Sequence, residues 1–196
     1  MATHRLTTSF NLSLSGGANV IVGGTNWNEA DTKAREALDE HSLYVPPYDD
    51  PLIWEGNSYL VDEILEQVGG DKANFPSVIV LSVGGGGLLR GVQLGIERLG
   101  LADHTEIIAV ETEGAGSFAA AKANNNQVTR LAAITSIARS LGALSVVESS
   151  LTSVVKTTSC VVTDAQAVTA CVQFVDELRI LVEPACGASL VSVLLC

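Results

Sequence analysis

Basic residues, aromatic residues and long apolar runs are all scarce in this 196-residue chain, and each scarcity removes a class of function. Lys and Arg number 11 against 22 Asp and Glu, a formal charge of −11 with no basic cluster to interrupt it. Such a surplus repels phosphate backbones and anionic lipid surfaces, so neither nucleic acid nor a membrane is expected as a partner. No stretch approaches the roughly 18 apolar residues of a membrane helix. Aromatic side chains make up 5% of the chain while glycine reaches 18 residues. That is the balance of an α/β protein, in which Ala, Val, Leu and Gly fill a sheet and its covering helices. An apolar share of 47% with 17% charged residues describes a globular chain suited to a small-molecule enzyme.

Metal and redox signatures are equally thin. His4, His41 and His104 are scattered and form no HExxH or His/Cys spacing, which gives a zinc site no support. Cys160, Cys171, Cys186 and Cys196 make no CxxC pair, and the first three sit among apolar neighbours as small core residues do. A reducing, cytoplasmic setting follows from that usage. The opening 17 residues are rich in Ser and Thr and free of acids, as transit peptides are. Arg5 is their only Lys or Arg, however, and the apolar stretch is broken, so they read as an ordinary leading segment.

From Ala18 onward, short β-branched runs alternate with stretches of helical period, the mark of an open, mostly parallel sheet with helices on both faces. Residues 18–22 read as a strand, and Asn28 as the cap of a helix with Ala30, Ala34 and Leu38 on one face. Three prolines and two aspartates in residues 44–51 mark a loop, and a domain boundary is placed just before it. A helix is expected from about Asn57, with Leu60, Val61, Ile64 and Val68 on one stripe and Gly69 and Gly70 as its stop. Residues 77–83 and 105–110 are buried strands flanking a helix that carries Leu88, Leu89, Val92, Ile96 and Leu99, so residues 77–110 form one βαβ unit. Short helices are read at 117–122 and 135–140, and strands at 160–162 and 180–182. Between those strands, Thr163 and Gln166 form a capping box for a helix that turns Val168, Cys171, Val172, Val175 and Leu178 inward.

The chemistry concentrates where the first buried strand meets its helix, at Gly84, Gly85, Gly86 and Gly87. Four glycines there leave backbone N–H groups unobstructed and permit positive φ, so the amides, with that of Leu88, can converge on an anion at a helix N-terminus. A plain strand-to-helix turn is the alternative, although such turns seldom need four glycines in succession. Neither the dinucleotide fingerprint GxGxxG nor the P-loop fits, since Leu89 or Arg90 stands where the last fingerprint glycine belongs and no Lys-Ser/Thr follows. A dinucleotide site survives as a second reading, with Glu111 at the end of the next strand as its ribose-binding acid. Glu111 reads equally well as a solvated strand-end carboxylate.

Four ordered blocks carry a resemblance. They are residues 45–56 (VPPYDDPLIWEG), 82–89 (SVGGGGLL), 110–115 (VETEGA) and 182–188 (VEPACGA), with a weaker 134–142 between the last two. Together they resemble the catabolic L-serine dehydratase/L-threonine deaminase (serine ammonia-lyase) group of the fold-type II, tryptophan synthase beta-like, pyridoxal-phosphate enzymes. The resemblance runs from about Gly17 to the end. It implies that residues 1–40 are a remnant of a small domain, with 1–16 outside the match, and that 41–196 are part of the large cofactor-binding domain. It implies a lyase of amino-acid catabolism that eliminates the β-hydroxyl of L-serine, or of L-threonine, to give pyruvate or 2-oxobutanoate and ammonia. Residues 52–56 (LIWEG) favour serine. The cofactor implied is pyridoxal 5′-phosphate, with its phosphate on Gly84, Gly85, Gly86, Gly87 and Leu88. A monovalent cation such as K+ is implied as well, ringed by Glu111, Ala115, Ser117, Leu141 and Ala143, and so is a homodimeric full-length parent. Oxygen-only ligation suits such a hard ion.

The family's Schiff-base lysine, in a Ser-Phe-Lys-like motif, has no counterpart here, and Lys33, Lys72, Lys122 and Lys156 read as surface residues. The loop that grips the substrate carboxylate and the partner of the pyridine nitrogen are missing too, so no catalytic residue is assigned. The expectation is a chain truncated at both ends, inactive as it stands. A non-catalytic fragment that still binds pyridoxal phosphate, or phosphate alone, is the companion reading.

Overall fold

The computed structural model describes residues 11, 13–24 and 27–194. The chain divides into two compact units, one ending at Val45 and one starting at Pro46, five residues beyond the expected boundary at residue 40.

The first unit contains helix α1 (Trp27–Glu36), none of whose residues is buried. It is tied by polar contacts instead. Arg35 Nε donates to Asp31 at 3.0 Å, the Tyr44 hydroxyl donates to the same carboxylate, and the Arg35 guanidinium lies 4.1 Å from the centre of the Tyr44 ring. Two expectations fail here. Residues 18–22 form no strand, and Ile21 and Val22 are exposed, because β-branched residues without a neighbouring ladder gain nothing from extension. Asn28 lies inside the helix rather than before it, and the helix ends two residues short of Leu38, which is exposed.

The second unit is α/β. Strands β1 (Val78–Ser82), β2 (Glu106–Thr112) and β3 (Thr157–Val162) lie side by side in that order, all parallel, with Val78 opposite Glu106 and Ile107 opposite Thr157. Alternate residues of β2 feed two cores. Ile107 and Ala109 join Leu81, Leu89, Val92, Ile96 and Val61 on one face, while Val110 joins Val162, Ala170, Ala185 and Ala188 on the other. The helices therefore cover both faces. Helices α2 (Pro51–Gln67) and α3 (Gly87–Leu99) pack on the first, and α5 (Asp164–Leu178) and α6 (Pro184–Leu194) on the second, while the short α4 (Ser117–Ala123) follows β2. The βαβ unit is present, with β2 running two residues further than expected; β1, read as a buried strand, lies at one end of the strand order and buries only Leu81, with Val78 exposed.

Helix α2 starts six residues before Asn57. Asp50 accepts the Leu52 N–H at 2.8 Å and Pro51 occupies the first helical position, where its missing N–H costs nothing. The proline and aspartates taken as loop residues are thus a start signal. Val61 is buried as expected, whereas Leu60 is exposed. Helix α2 approaches α3 through glycine. A Cβ on Gly91 would lie 2.4 Å from Asn57 Cβ, and one on Gly95 would lie 2.5 Å from Val61 Cγ2. With Gly87 these make a stripe at four-residue spacing, which lays one backbone against the other.

Four further expectations are corrected. No helix forms over 135–140. Ser136 Oγ instead contacts Thr112 Oγ1 at 2.8 Å and Asp164 at 2.6 Å, and it accepts the Ala138 N–H, leaving only a 3₁₀ turn at Arg139–Leu141. Helix α5 opens with the capping box at Thr163 and Gln166, yet it buries Ala167, Ala170 and Cys171 and exposes Val168, Val172 and Leu178. The small residues win that face because α6 comes close: a Cβ on Gly187 would sit 2.2 Å from Ala167 O. Residues 180–182 are coil, with Ile180 and Leu181 exposed. Of the cysteines, Cys171 is buried, Cys160 half-buried and Cys186 exposed, so Cys186 is no core residue; Cys196 lies outside the described residues. Among the described residues no helix is long and apolar enough to cross a membrane.

Candidate functional site

The turn from β1 to α3 is built so that its carbonyls are tied back and its amides are left over. Val83 donates to Val110 O at 2.8 Å, carrying the sheet to the edge of the turn. Gly84 O then accepts from Ser117 Oγ at 3.0 Å, Gly85 O from Val147 N at 2.9 Å, and Gly86 O from Arg90 N at 2.8 Å. Gly86, at φ +88°, is the N-cap of α3 and offers no side chain to the first turn. Among the described residues, no acceptor engages the N–H groups of residues 84–88. Unpaired amides at the positive end of a helix dipole form a site for an anion.

The glycines are also required sterically. A Cβ on Gly84 would stand 3.0 Å from Leu141 Cα, on Gly85 2.4 Å from the Tyr48 ring, on Gly86 2.6 Å from Val146 Cγ2 and on Gly87 2.7 Å from Tyr48 O. The turn opens on a cavity of about 280 Å³ bordered by Pro47, Tyr48, Ser82, Ser140, Leu141 and the glycines, with Leu88 and Leu89 at its helical side. These observations fit a phosphate group: unpaired donors, no obstructing side chain, and room for one anion.

Of the residues named for a cation, Ser117 lies close behind this turn, beside the fully buried carboxylate of Glu111. Glu111, at the end of β2, accepts the N–H of Phe118 at 2.7 Å and of Ala119 at 2.8 Å, which caps α4 from below. Burial pushes its carboxyl up to about 7, against the amides of Phe118 and Ala119, which pull it down. Ser117 Oγ lies 3.5 Å from the same carboxylate and links it to Gly84 O. Ala115 donates to Thr112 O at 2.9 Å, and Ala143 donates to Leu141 O at 2.8 Å. Among the described residues no basic side chain pairs with Glu111. A buried carboxylate without a basic partner is a group whose charge a hard monovalent ion would offset. Neither earlier role for Glu111 holds: at 0% exposed it is not a solvated carboxylate, and its burial keeps it from a ribose.

Lysines are absent from the cavity lining. Lys72 Nζ is bonded to Leu99 O, Lys156 is paired with Glu106, and Lys122 lies 5.9 Å from the centre of the Phe118 ring. What sequence reasoning missed is Tyr48, whose ring and carbonyl press on Gly85 and Gly87. A signal for it existed in the spacing of Gly87, Gly91 and Gly95, which announces that another backbone lies against α3.

Comparison with known proteins bears on this geometry. The profile of pyridoxal-phosphate dependent enzymes matches residues 10–196. The chain is 42% identical over 181 residues to an L-serine dehydratase of Dictyostelium discoideum, covering 89% of this chain and 51% of that protein. It is 46% identical over 180 residues to a serine dehydratase-like protein of Rattus norvegicus, covering 90% and 53%. Among solved structures, a fungal L-serine ammonia-lyase from Rhizomucor miehei superposes with a TM-score of 0.83 at 32% identity, over 96% of this chain and 58% of that one. Maize serine racemase, at 24% identity and a TM-score of 0.78, shares the fold. The chain spans about half the length of the curated relatives it matches. A glycine turn with free amides between a parallel strand and its crossover helix, inside a match of this extent, shows that the chain belongs to the family of pyridoxal-phosphate dependent enzymes.

Proposed function

We propose that this chain is the phosphate-holding part of a pyridoxal-phosphate-dependent L-serine ammonia-lyase, acting also on L-threonine. The observation that carries the reading is the β1–α3 turn, with its carbonyls tied back and the amides of Gly84, Gly85, Gly86, Gly87 and Leu88 unpaired. The names of the relatives described above supply the substrate class. When bound, the cofactor supplies an electron sink that lets an amino acid lose its Cα proton and β-hydroxyl. This chain's own part is narrower. The turn would hold the phosphate, Ser117 holds the turn through Gly84 O, and Tyr48 closes one side.

Around Glu111, the oxygens of Ala115, Ser117, Leu141 and Ala143 would receive a monovalent cation such as K+, whose charge offsets that of the buried carboxylate. The unit from Pro46 onward corresponds in this reading to part of the large cofactor domain and the preceding unit to part of the small one. The whole protein is a cytoplasmic homodimer. Supplying pyridoxal phosphate with L-serine or L-threonine to the protein that carries this chain yields pyruvate or 2-oxobutanoate only when the cofactor is present. No oxo acid from either substrate overturns the lyase reading.

A second reading rests on the lysines. With no lysine amine lining the cavity, this chain alone holds the cofactor through its phosphate without a covalent link, and turns nothing over. Binding of pyridoxal phosphate by the purified chain, reversible on dialysis and without oxo-acid formation, supports it.

A further inference from the structure

We propose that Tyr48 is a specificity-determining residue of the glycine turn, walling it so that it accepts a terminal phosphomonoester and rejects a pyrophosphate-bridged dinucleotide. This rests on the reading that residues 84–88 hold the cofactor's phosphate, and it adds what sets the shape of that site.

The position of Tyr48 is determined from both sides. Its ring atoms Cδ2, Cε2 and Cγ would lie 2.4, 2.5 and 2.5 Å from a Cβ on Gly85, and its Cα and carbonyl oxygen 2.9 and 2.7 Å from one on Gly87. Trp54 Nε1 donates to that carbonyl at 2.8 Å, and Trp54 N donates to Asp50 O at 3.1 Å. Trp54 belongs to α2, which is locked on α3 where a Cβ on Gly91 would meet Trp54 O at 2.7 Å. The helix that presents the amides and the helix that holds Tyr48 thus move as one packed pair, and the wall is pre-positioned.

On the other side the turn is closed by Leu141 against Gly84 and by Val146 against Gly86. Tyr48, Leu141 and Val146 thus crowd the turn. The cavity, about 280 Å³, falls just below the range of ligand pockets, which run roughly 300–1,000 Å³. A phosphomonoester ends at its phosphorus and leaves by a single ester oxygen, so it needs an opening on one side only. A bridging pyrophosphate must leave the turn in two directions, and one of them is occupied by the Tyr48 ring. Dinucleotide sites of this topology keep that path open along a GxGxxG turn.

The test uses the full chain, with amide resonances of residues 84–88 and the indole N–H of Trp54 as readouts, and pyridoxal phosphate, inorganic phosphate and NAD as probes. In the wild type, pyridoxal phosphate and phosphate shift the amides and the Trp54 indole with one dissociation constant, and NAD shifts neither. Tyr48→Ala weakens pyridoxal phosphate about tenfold and narrows its advantage over NAD by about tenfold or more, while Tyr48→Phe, which keeps the ring, restores that advantage. Two results overturn the role of Tyr48: Tyr48→Ala discriminating as the wild type does, or a Trp54 indole that stays still while the amides move. The Trp54 measurement needs no variant and decides the matter even if Tyr48→Ala does not fold. If pyridoxal phosphate leaves the amides of residues 84–88 unmoved in the wild type, the cofactor reading falls; if they move and the Tyr48 results fail, this inference alone falls.

Discussion

Helix α1 buries none of its ten residues, whereas α3 buries seven of its thirteen, three of them glycines set against a neighbouring backbone. The unit ending at Val45 is held by a carboxylate, a guanidinium and a phenol at its surface. The unit starting at Pro46 is held by two cores on either side of a parallel sheet. Exposed ion pairs contribute about 0–1 kcal/mol each, while a single buried leucine contributes several times that. The candidate site lies wholly within the second unit, on elements whose packing leaves them one position to occupy. An anion site needs that rigidity, because amides aimed at an oxygen lose their advantage when they can relax away.

The largest effect should separate the units sterically. Gly95→Val puts its Cβ 2.5 Å from Val61 Cγ2 and 2.6 Å from Ser58 O, and backbone cannot yield as a side-chain tip can. It is expected to cost about 3 kcal/mol in urea unfolding, against a few tenths for Ala34→Val on exposed α1. Similar losses from both substitutions would erase the contrast.

Opposite responses to pH come next. Burial holds the Glu111 carboxyl at about 7 in the folded chain, above its ordinary 4.5. Below pH 4.5 it is protonated folded or unfolded and carries no penalty. Between pH 4.5 and about 7 only the unfolded chain ionises freely, so in a buffer free of alkali-metal ions stability falls by about 3 kcal/mol across that window and levels off above it. Glu111→Gln flattens the slope. Asp31 behaves the other way. The Tyr44 hydroxyl, with Arg35, holds its carboxyl below the ordinary 3.8, so its contribution is present above that pH and is lost as pH falls beneath it. Helical signal from α1 should fade only under strong acid, and Tyr44→Phe should move that loss to higher pH.

A smaller and more local effect tests the packing around the turn. Gly85→Ala collides with the Tyr48 ring at 2.4 Å, and removing the ring with Tyr48→Ala should relieve it. The double variant is expected to be more stable than the sum of the single losses by about 1–2 kcal/mol. Strict additivity would show that the ring does not press on the turn.

The parts of this fold legible in the sequence were those fixed by local chemistry. Residues 77–83 and 105–110 are β-branched and apolar enough to read as strands, although the first buries only Leu81 within its strand, and the capping box at Thr163 needs only a four-residue window. The glycine turn was readable for the same reason. What escaped depends on residues distant in sequence meeting in space. The apolar stripe of α5 suggested Val168 and Val172 as its inner face, but Gly187 lets α6 approach so closely that only Ala167, Ala170 and Cys171 fit between them. Ser136 diverts its segment from helix by bonding to Thr112 and Asp164, both more than twenty residues away. Asp50 and Pro51 carried a start signal that was legible and misread, since the same residues also punctuate loops. At the site, the glycines were apparent, while the pressure of Tyr48 on Gly85 was not, because nothing local ties residue 48 to residue 85.

Whether the amides of residues 84–88 receive a phosphate is read from a titration of the purified chain with pyridoxal phosphate, followed through those amide resonances. Saturable shifts at residues 84–88 and at the residues packed on them through Tyr48, reproduced by inorganic phosphate at higher concentration, are the predicted result. Shifts absent there, or present only at distant residues, would contradict it.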